Sequence, residues 1–318
     1  MIARRALVTG GAGFIGSHIV ERLVAMGVEV VVLDDLSTGR LENVTSGASM
    51  IVGNVCELRD VEKAVEGVDV VFHQAARVSV RDSIAHFHED AVVNLLGTLN
   101  VLKAIASGRG VRKLVYASSM AVYADSDRPP VGEDHLTAPL SPYGIAKLAS
   151  EKYCLQVGAR CGVDVLCLRY FNTLGPRQSY TPYVGVVTIF VNRLLKGEAP
   201  VIFGDGEQIR DFVHVHDVAE ANIRAMESEG VSGVYNVGSG SGTTVNALAR
   251  RLIDRLAPGI EPEFAPAQAG ELRNSVADIS RAVTELGYRP AGRLEEGLDE
   301  VIDWWSSRGG LEGERLRR

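Results

Sequence analysis

Ala6-Leu7-Val8-Thr9-Gly10-Gly11-Ala12-Gly13-Phe14-Ile15-Gly16 stands close to the start of the chain as a short apolar run that breaks into glycines, and an amphipathic stretch over 17–26 follows it. That order predicts a strand, a tight turn and a helix. Glycines at 10, 13 and 16 let the backbone turn sharply and approach a pyrophosphate, whose charge sits against free N–H groups at the helix start. A glycine triplet alone is common, so its context decides. Glu29-Val30-Val31-Val32-Leu33 reads as a second strand, and Asp34 ends it eighteen residues after Gly16. An acid there hydrogen-bonds adenosine ribose hydroxyls and repels the extra phosphate of NADP, so NAD is the expected cofactor. A solvated strand end is the alternative for Asp34-Asp35.

Outward from this unit the alternation continues. Strands are expected at 50–52, 69–73, 113–117 and 164–169, with helices at 58–65, 84–105 and 143–160. Strands this apolar between helices predict an α/β fold, a doubly wound parallel (Rossmann) sheet covered on both faces. Ligands then bind beyond the carboxyl ends of the strands, and those ends carry Asn54, Ala75-Ala76-Arg77, Ser118-Ser119 and Asn172. Ser119 is a candidate hydroxyl donor to a substrate oxygen, or equally a turn or cap serine. From about Leu174 the pattern is less regular: a loop over 175–185, a helix at 186–195, a strand–turn–strand over 202–214, and two terminal helices with Trp304 and Trp305. Residues 1–173 are expected to form the NAD-binding domain, receiving 208–238 as well. Residues 174–318 form mainly a smaller C-terminal α/β substrate domain.

The chemistry is expected in Ser141-Pro142-Tyr143-Gly144-Ile145-Ala146-Lys147. Pro142 suits the first turn of a helix, and Tyr143 and Lys147 then stand one turn apart on one face. A phenol with a pKa of about 10 is a poor base at neutral pH, but a neighbouring ammonium favours its ionised form. The spacing by itself also fits a surface helix with an aromatic anchor.

Composition narrows the class. Hydrophobic residues make up 46% of the 318, enough for a sizeable core, and the net charge of −7 with no basic block argues against a nucleic-acid partner. No apolar run reaches the length of a membrane span, and the stretch after Arg4-Arg5 breaks at once into glycines, so neither a membrane segment nor export is expected. Cys56, Cys154, Cys161 and Cys167 show no metal or disulfide spacing and are expected to be reduced in a cytoplasmic protein. The pairs His214/His216 and His86/His88 lack nearby third and fourth ligands, so no metal site is expected. There is no Gly-x-Ser-x-Gly elbow either.

Taken together, these residues resemble the extended short-chain dehydrogenase/reductase family and, within it, the NAD-dependent nucleotide-sugar epimerases. The motifs run in order as Gly10 to Gly16, Ala75-Ala76, Asn94-x-x-Gly97-Thr98, Ala117-Ser118-Ser119, Tyr143-x-x-x-Lys147, Leu168-Arg169-Tyr170-Phe171-Asn172 and Gly206 to Phe212. The resemblance implies C4 epimerisation of a UDP-sugar, UDP-glucose/UDP-galactose with UDP-GlcNAc/UDP-GalNAc as a further pair, through a transient 4-keto sugar. It implies Ser119, Tyr143 and Lys147 as the catalytic set. Gly10, Gly13, Phe14, Ile15, Gly16, Asp34, Asn54, Val55, Ala75, Ala76 and Asn94 would surround NAD, while Asn172, Arg210, Arg273 and Ser275 would meet the sugar nucleotide. A homodimer through a four-helix bundle of the helices near 84–105 and 143–160 is also implied.

Several positions depart from the family pattern. Asn54 stands where relatives usually carry Asp, Met120 and Ala124 replace a small residue and a glycine, and Gln268 replaces an arginine at the diphosphate. Ser275 matches a position where a tyrosine restricts room around the sugar C2 substituent, so a serine there implies acceptance of N-acetyl sugars. A 4,6-dehydratase or decarboxylase of the same family is the near alternative, but those place a carboxylate directly after the serine or threonine, where this chain has Met120-Ala121. A non-catalytic NAD or nucleotide-sugar binding protein is the alternative of a different class.

Overall fold

The computed structural model describes residues 3–108, 110–126, 129–181, 185–267 and 272–310. The first half runs β1 (Arg5–Thr9), α1 (Phe14–Ala25), β2 (Glu29–Asp34), β3 (Ala48–Val52), α2 (Leu58–Ala64), β4 (Val70–His73), α3 (Val80–Ala85), α4 (Phe87–Ala91), α5 (Gly97–Ala106), β5 (Lys113–Ser119), α6 (Pro142–Cys161) and β6 (Asp164–Tyr170). The second half adds β7 (Asn172–Leu174), α7 (Val186–Leu194), β8 (Val201–Phe203), β9 (Ile209–His214), α8 (Val215–Glu227), β10 (Gly233–Val237), β11 (Gly242–Thr244), α9 (Val245–Leu256), β12 (Glu263–Ala265), β13 (Asn274–Ser275), α10 (Ser280–Leu286) and α11 (Leu294–Ser306).

Seven strands pair in the order β10-β6-β5-β4-β1-β2-β3, and every pair is parallel. Because side chains alternate across a strand, each apolar run feeds two cores. Val8, Val32, Phe72, Val115 and Leu166 face α1 and α8, whereas Leu7, Val31, Val71 and Leu114 face α2, α5 and α6. Each such fully buried aliphatic side chain contributes about 1.5–3 kcal/mol relative to exposure. The doubly wound parallel sheet expected from the sequence is therefore present. Its outer strand β10 comes from far along the chain and pairs with β6 in the register Tyr235↔Leu168.

Two local expectations differ. The helix expected over 84–105 begins at Val80, capped by Ser79 Oγ on the Asp82 N–H, leaves helical geometry at His86, and widens into a π turn over Val92–Leu96 before α5. No glycine or proline stands at the His86 break, and Gly97 closes the π turn, where a Cβ would lie 2.9 Å from the Val55 side chain. The stretch 202–214 is not a hairpin. β8 pairs in parallel with β12, while β9 joins β7, β11 and β13 in a separate sheet. This second unit buries Leu174, Phe190, Leu248, Leu252 and Trp305.

A buried ion pair joins the sheet to α6. Arg169 on β6 donates through Nε and a terminal nitrogen to both oxygens of Glu151 on α6, each at 2.8 Å, with side chains 3% and 0% exposed. Ser118 Oγ donates to the same carboxylate at 2.5 Å. Removing one partner strands a buried charge. Arg169→Met is expected to cost about 3–5 kcal/mol in urea unfolding, whereas Glu151→Met with Arg169→Met together recovers part of that loss. Equal losses in the single and double variants would contradict it.

Candidate active site

At the carboxyl ends of the strands lies one large cleft, bounded on one side by the sheet and on the other by β8, β9 and α7. The turn after β1 forms one end. Gly10 adopts φ +69°, and a Cβ on Gly16 would lie 2.1 Å from the Gly10 carbonyl oxygen, so only glycine lets α1 close onto the turn. α1 has no side-chain cap, and Gly13, Phe14, Ile15 and Gly16 at its start line the cleft. Asp34 accepts from the Ala12 N–H at 3.0 Å and the Leu36 N–H at 2.9 Å. Burial raises its pKa and these two bonds work against that rise. A free helix start with glycines and a buried carboxylate at the next strand end fits a dinucleotide's pyrophosphate and ribose.

Asn54, Val55, Ala75 and Ala76 line the same end. Asn54 Oδ1 accepts from the Cys56 N–H at 2.8 Å, and Nδ2 donates to Asp35 at 3.2 Å. An aspartate at 54 would face the Asp35 carboxylate, so the amide turns a repulsion into a hydrogen bond. The backbone after β4 is fixed by a buried chain. Thr98 Oγ1 donates to Asn94 O, so it accepts from His73 Nε2, and His73 Nδ1 then accepts from Thr9 Oγ1. Burial drives the His73 pKa down to about 3, which keeps the ring neutral for this pattern.

The middle of the cleft is built by α6 and the end of β5. Ser141 Oγ accepts the Gly144 N–H at 3.2 Å, Pro142 occupies the first turn, and the Tyr143 N–H donates to Ser83 Oγ at 3.2 Å. A Cβ on Gly144 would lie 2.2 Å from Ala121 O, so this glycine lets the helix start press against the single turn Met120–Val122 that follows Ser119. Ser119, Tyr143 and Lys147 meet on the cleft wall. Burial pushes the Tyr143 phenol up to about 12, and a hydrogen bond with Ser119 acts in the opposite direction. Lys147 Nζ donates to Ala117 O at 2.8 Å and lies 5.8 Å from the Tyr143 ring centre. Burial lowers this ammonium to about 8, with Asp90 the main opposing charge. In the protein alone, burial outweighs the ammonium's expected pull on the phenol.

Asn172 and Arg210 line the far side, with Phe203, Phe190 and Leu272, which the sequence did not single out. Arg210 donates to Ile209 O at 3.0 Å. Three expected contacts stand back from the wall. Asn94 is buried and spends its amide on both main-chain groups of Arg77 and on Asp90. Arg273 is half exposed and pairs with both oxygens of Asp205, at 2.7 and 2.8 Å. Ser275 is 2% exposed and its hydroxyl meets Met120 Sδ at 3.4 Å. Gln268 lies outside the described residues. Ala124 fits its place with an extended-chain bond from its N–H to Leu136 O at 2.9 Å.

The histidine pair at 214 and 216 gains a third neighbour that sequence spacing did not reveal. Glu300 on α11 brings an oxygen 3.2 Å from His214 Nε2, and the potential ligand atoms of the three residues lie within 4.8 Å of one another. His214 Nδ1, however, caps α8 by accepting the His216 N–H at 3.2 Å. That leaves the ring proton on Nε2, which lies 3.2 Å from the carboxylate without hydrogen-bond alignment, where a metal would need a lone pair. His86 is paired with Asp82 at 2.9 Å. No helix among the described residues is long and apolar enough to cross a membrane, and the four cysteines are free.

Similarity to known proteins agrees with this cleft. The chain is 38% identical over 311 residues to the UDP-glucose 4-epimerase of Mycolicibacterium smegmatis, covering 96% of this chain and 99% of that protein. The crystal structure of UDP-glucose 4-epimerase with UDP-glucose from Thermotoga maritima superposes with a TM-score of 0.91 at 39% identity, over 95% of this chain and 99% of that one. A UDP-N-acetylglucosamine 4-epimerase from Methanobrevibacter ruminantium, in complex with UDP-N-acetylmuramic acid, superposes with a TM-score of 0.91 at 36% identity, over 96% and 99%. Residues 6–238 match the NAD dependent epimerase/dehydratase family, and the chain belongs to that family.

Proposed function

We propose that this protein is an NAD-dependent UDP-sugar 4-epimerase acting on UDP-glucose and UDP-galactose, with UDP-GlcNAc and UDP-GalNAc as a further pair. One observation carries the choice over a dehydratase or decarboxylase. Among the described residues, the only carboxylates lining the cleft are Asp34 and Asp35 at the adenosine end, while Met120 and Ala121 follow Ser119. Elimination needs an added acid and base beside the sugar, and epimerisation needs only one proton acceptor.

Tyr143 takes the proton of the sugar 4-hydroxyl, Ser119 holds the same oxygen, and Lys147 keeps a positive charge beside the phenol. NAD held in this cleft would supply the hydride acceptor and donor that inversion at C4 requires. Gly10, Gly13 and Gly16 hold the pyrophosphate, Asp34 the adenosine ribose, and Asn172 and Arg210 the sugar nucleotide. A homodimer through the helices around α5 and α6 is supported by Phe87, Leu96, Ile145 and Tyr153, all exposed there. Four free cysteines suit the reducing cytoplasm.

Proton NMR of the protein with UDP-glucose is expected to show UDP-galactose appearing, and Tyr143→Phe abolishes that turnover while sparing NAD binding. A near-normal rate in the variant removes Tyr143 from the chemistry, and no epimer from any UDP-sugar points to the binding protein instead. The pH dependence follows from Asp90, whose charge raises the pKa of both Tyr143 and Lys147. Asp90→Asn therefore lowers both, and the pH profile of kcat moves to lower pH. A shift to higher pH would count against these roles. In sedimentation, Ile145→Glu is expected to turn a dimer into a monomer; a monomeric unmodified protein would sink the dimer.

A further inference from the structure

We propose that Tyr116 is a positioning residue for Lys147, and that the face of its ring keeps the buried ammonium charged. This rests on the role given to Lys147 above. Tyr116 stands on β5 between His73 of β4 and Cys167 of β6, and its side chain enters the core on the α6 side of the sheet together with Leu114. It is 1% exposed. Lys147 Nζ lies over this ring, 5.0 Å from its centre, closer than the 5.8 Å to the centre of the Tyr143 ring.

The ammonium has little other support. Lys147 is 3% exposed, and among the described residues its one hydrogen bond is to Ala117 O. On its own helix, Tyr143 and Cys154 are held in their protonated forms by burial, and Glu151 is committed to Arg169 and Ser118. On β4 His73 is neutral, and on α4 burial pushes Asp90 itself toward its protonated form. An aromatic face attracts a cation through its ring quadrupole, and most strongly where water is excluded. Tyr116 supplies that face without changing charge. Burial raises its phenol well above the usual value, so this ring stays neutral while Tyr143 gains and loses its proton. It is also held in place: the His73 ring packs against it at 5.8 Å, and His73 is bonded to Thr9 and Thr98.

An NMR pH titration of the protein with isotope-labelled lysine side chains tests this, the Lys147 signal being the one that Lys147→Arg lacks. Tyr116→Phe keeps the face and is expected to leave the Lys147 pKa where it was. Tyr116→Leu removes the face, and the pKa is expected to fall by about one unit or more. Pentafluorophenylalanine at position 116 keeps a ring of similar size but reverses its quadrupole, so it lowers the pKa as leucine does and decides the matter if Tyr116→Leu fails to fold. An unmoved pKa in Tyr116→Leu overturns the proposal. So does a fluorinated protein that titrates like Tyr116→Phe, because the ring then only fills space. In turnover of UDP-glucose by Tyr116→Leu, the alkaline limb of the kcat profile moves to lower pH, while the acid limb and KM stay in place. A uniform loss of kcat with both limbs unmoved marks a merely structural residue and overturns the proposal too. A protein that epimerises no UDP-sugar refutes the catalytic assignment, and the NMR titration still decides whether Tyr116 holds the charge on Lys147.

Discussion

Glu151 and Arg169 have left water almost entirely, and the geometry of the cleft depends on their pairing. Two desolvated charges cost several kcal/mol each, and only a two-pronged contact with further hydrogen bonds offsets that. Here the fork is complete, and Ser118 adds a third bond to the carboxylate. Glu151 lies one helical turn beyond Lys147, which lies one turn beyond Tyr143, while Ser118 adjoins Ser119. The pair thus references all three groups of the proposed site to a single point. Arg169 also stacks over the Tyr123 ring at 4.6 Å, and Tyr123 OH donates to Asn236 Oδ1 at 2.6 Å. Asn236 in turn donates to Val131 O and Asp278 O, which carries the constraint into the segments beside β13.

The same burial that fixes these groups works against their ionisation. Desolvation raises a phenol and lowers an ammonium, so Tyr143 and Lys147 are both drawn toward their neutral forms. Asp90 sits among them with one oxygen bonded to Asn94 and the other without a hydrogen-bond partner. Its negative charge favours the protonated states of both neighbours. The site is therefore tuned by a carboxylate that stands back from the cleft, on a helix whose geometry is irregular.

The central sheet was legible because apolar strands and glycine turns are local signals. Leu7 and Val8 point to opposite cores by strand geometry alone, and Gly16 is required by one close approach to Gly10. The Tyr143–Lys147 spacing continues to Glu151 at the same interval, a sign that the helix face stays buried, yet the partner Arg169 is a strand residue eighteen positions away. Contacts set by tertiary packing were not legible. The π turn at Val92–Leu96 turned Asn94 onto the Arg77 backbone, Asp205 engaged Arg273, and Met120 came between Ser275 and the cleft. Glu300 reached the histidine pair only because α11 packs over β9. Each depends on where two distant elements settle, which residue spacing does not encode.

The outer strand β10 has a consequence for how the chain comes to be folded. Until residue 237 has been synthesised, β6 presents an unpaired edge, and an open parallel edge is a template for pairing with other chains. The nascent sheet must therefore wait through β7, α7, β8, β9 and α8 before its last hydrogen bonds close. The first half of the molecule is therefore not finished until a segment that arrives with the second half has closed its sheet.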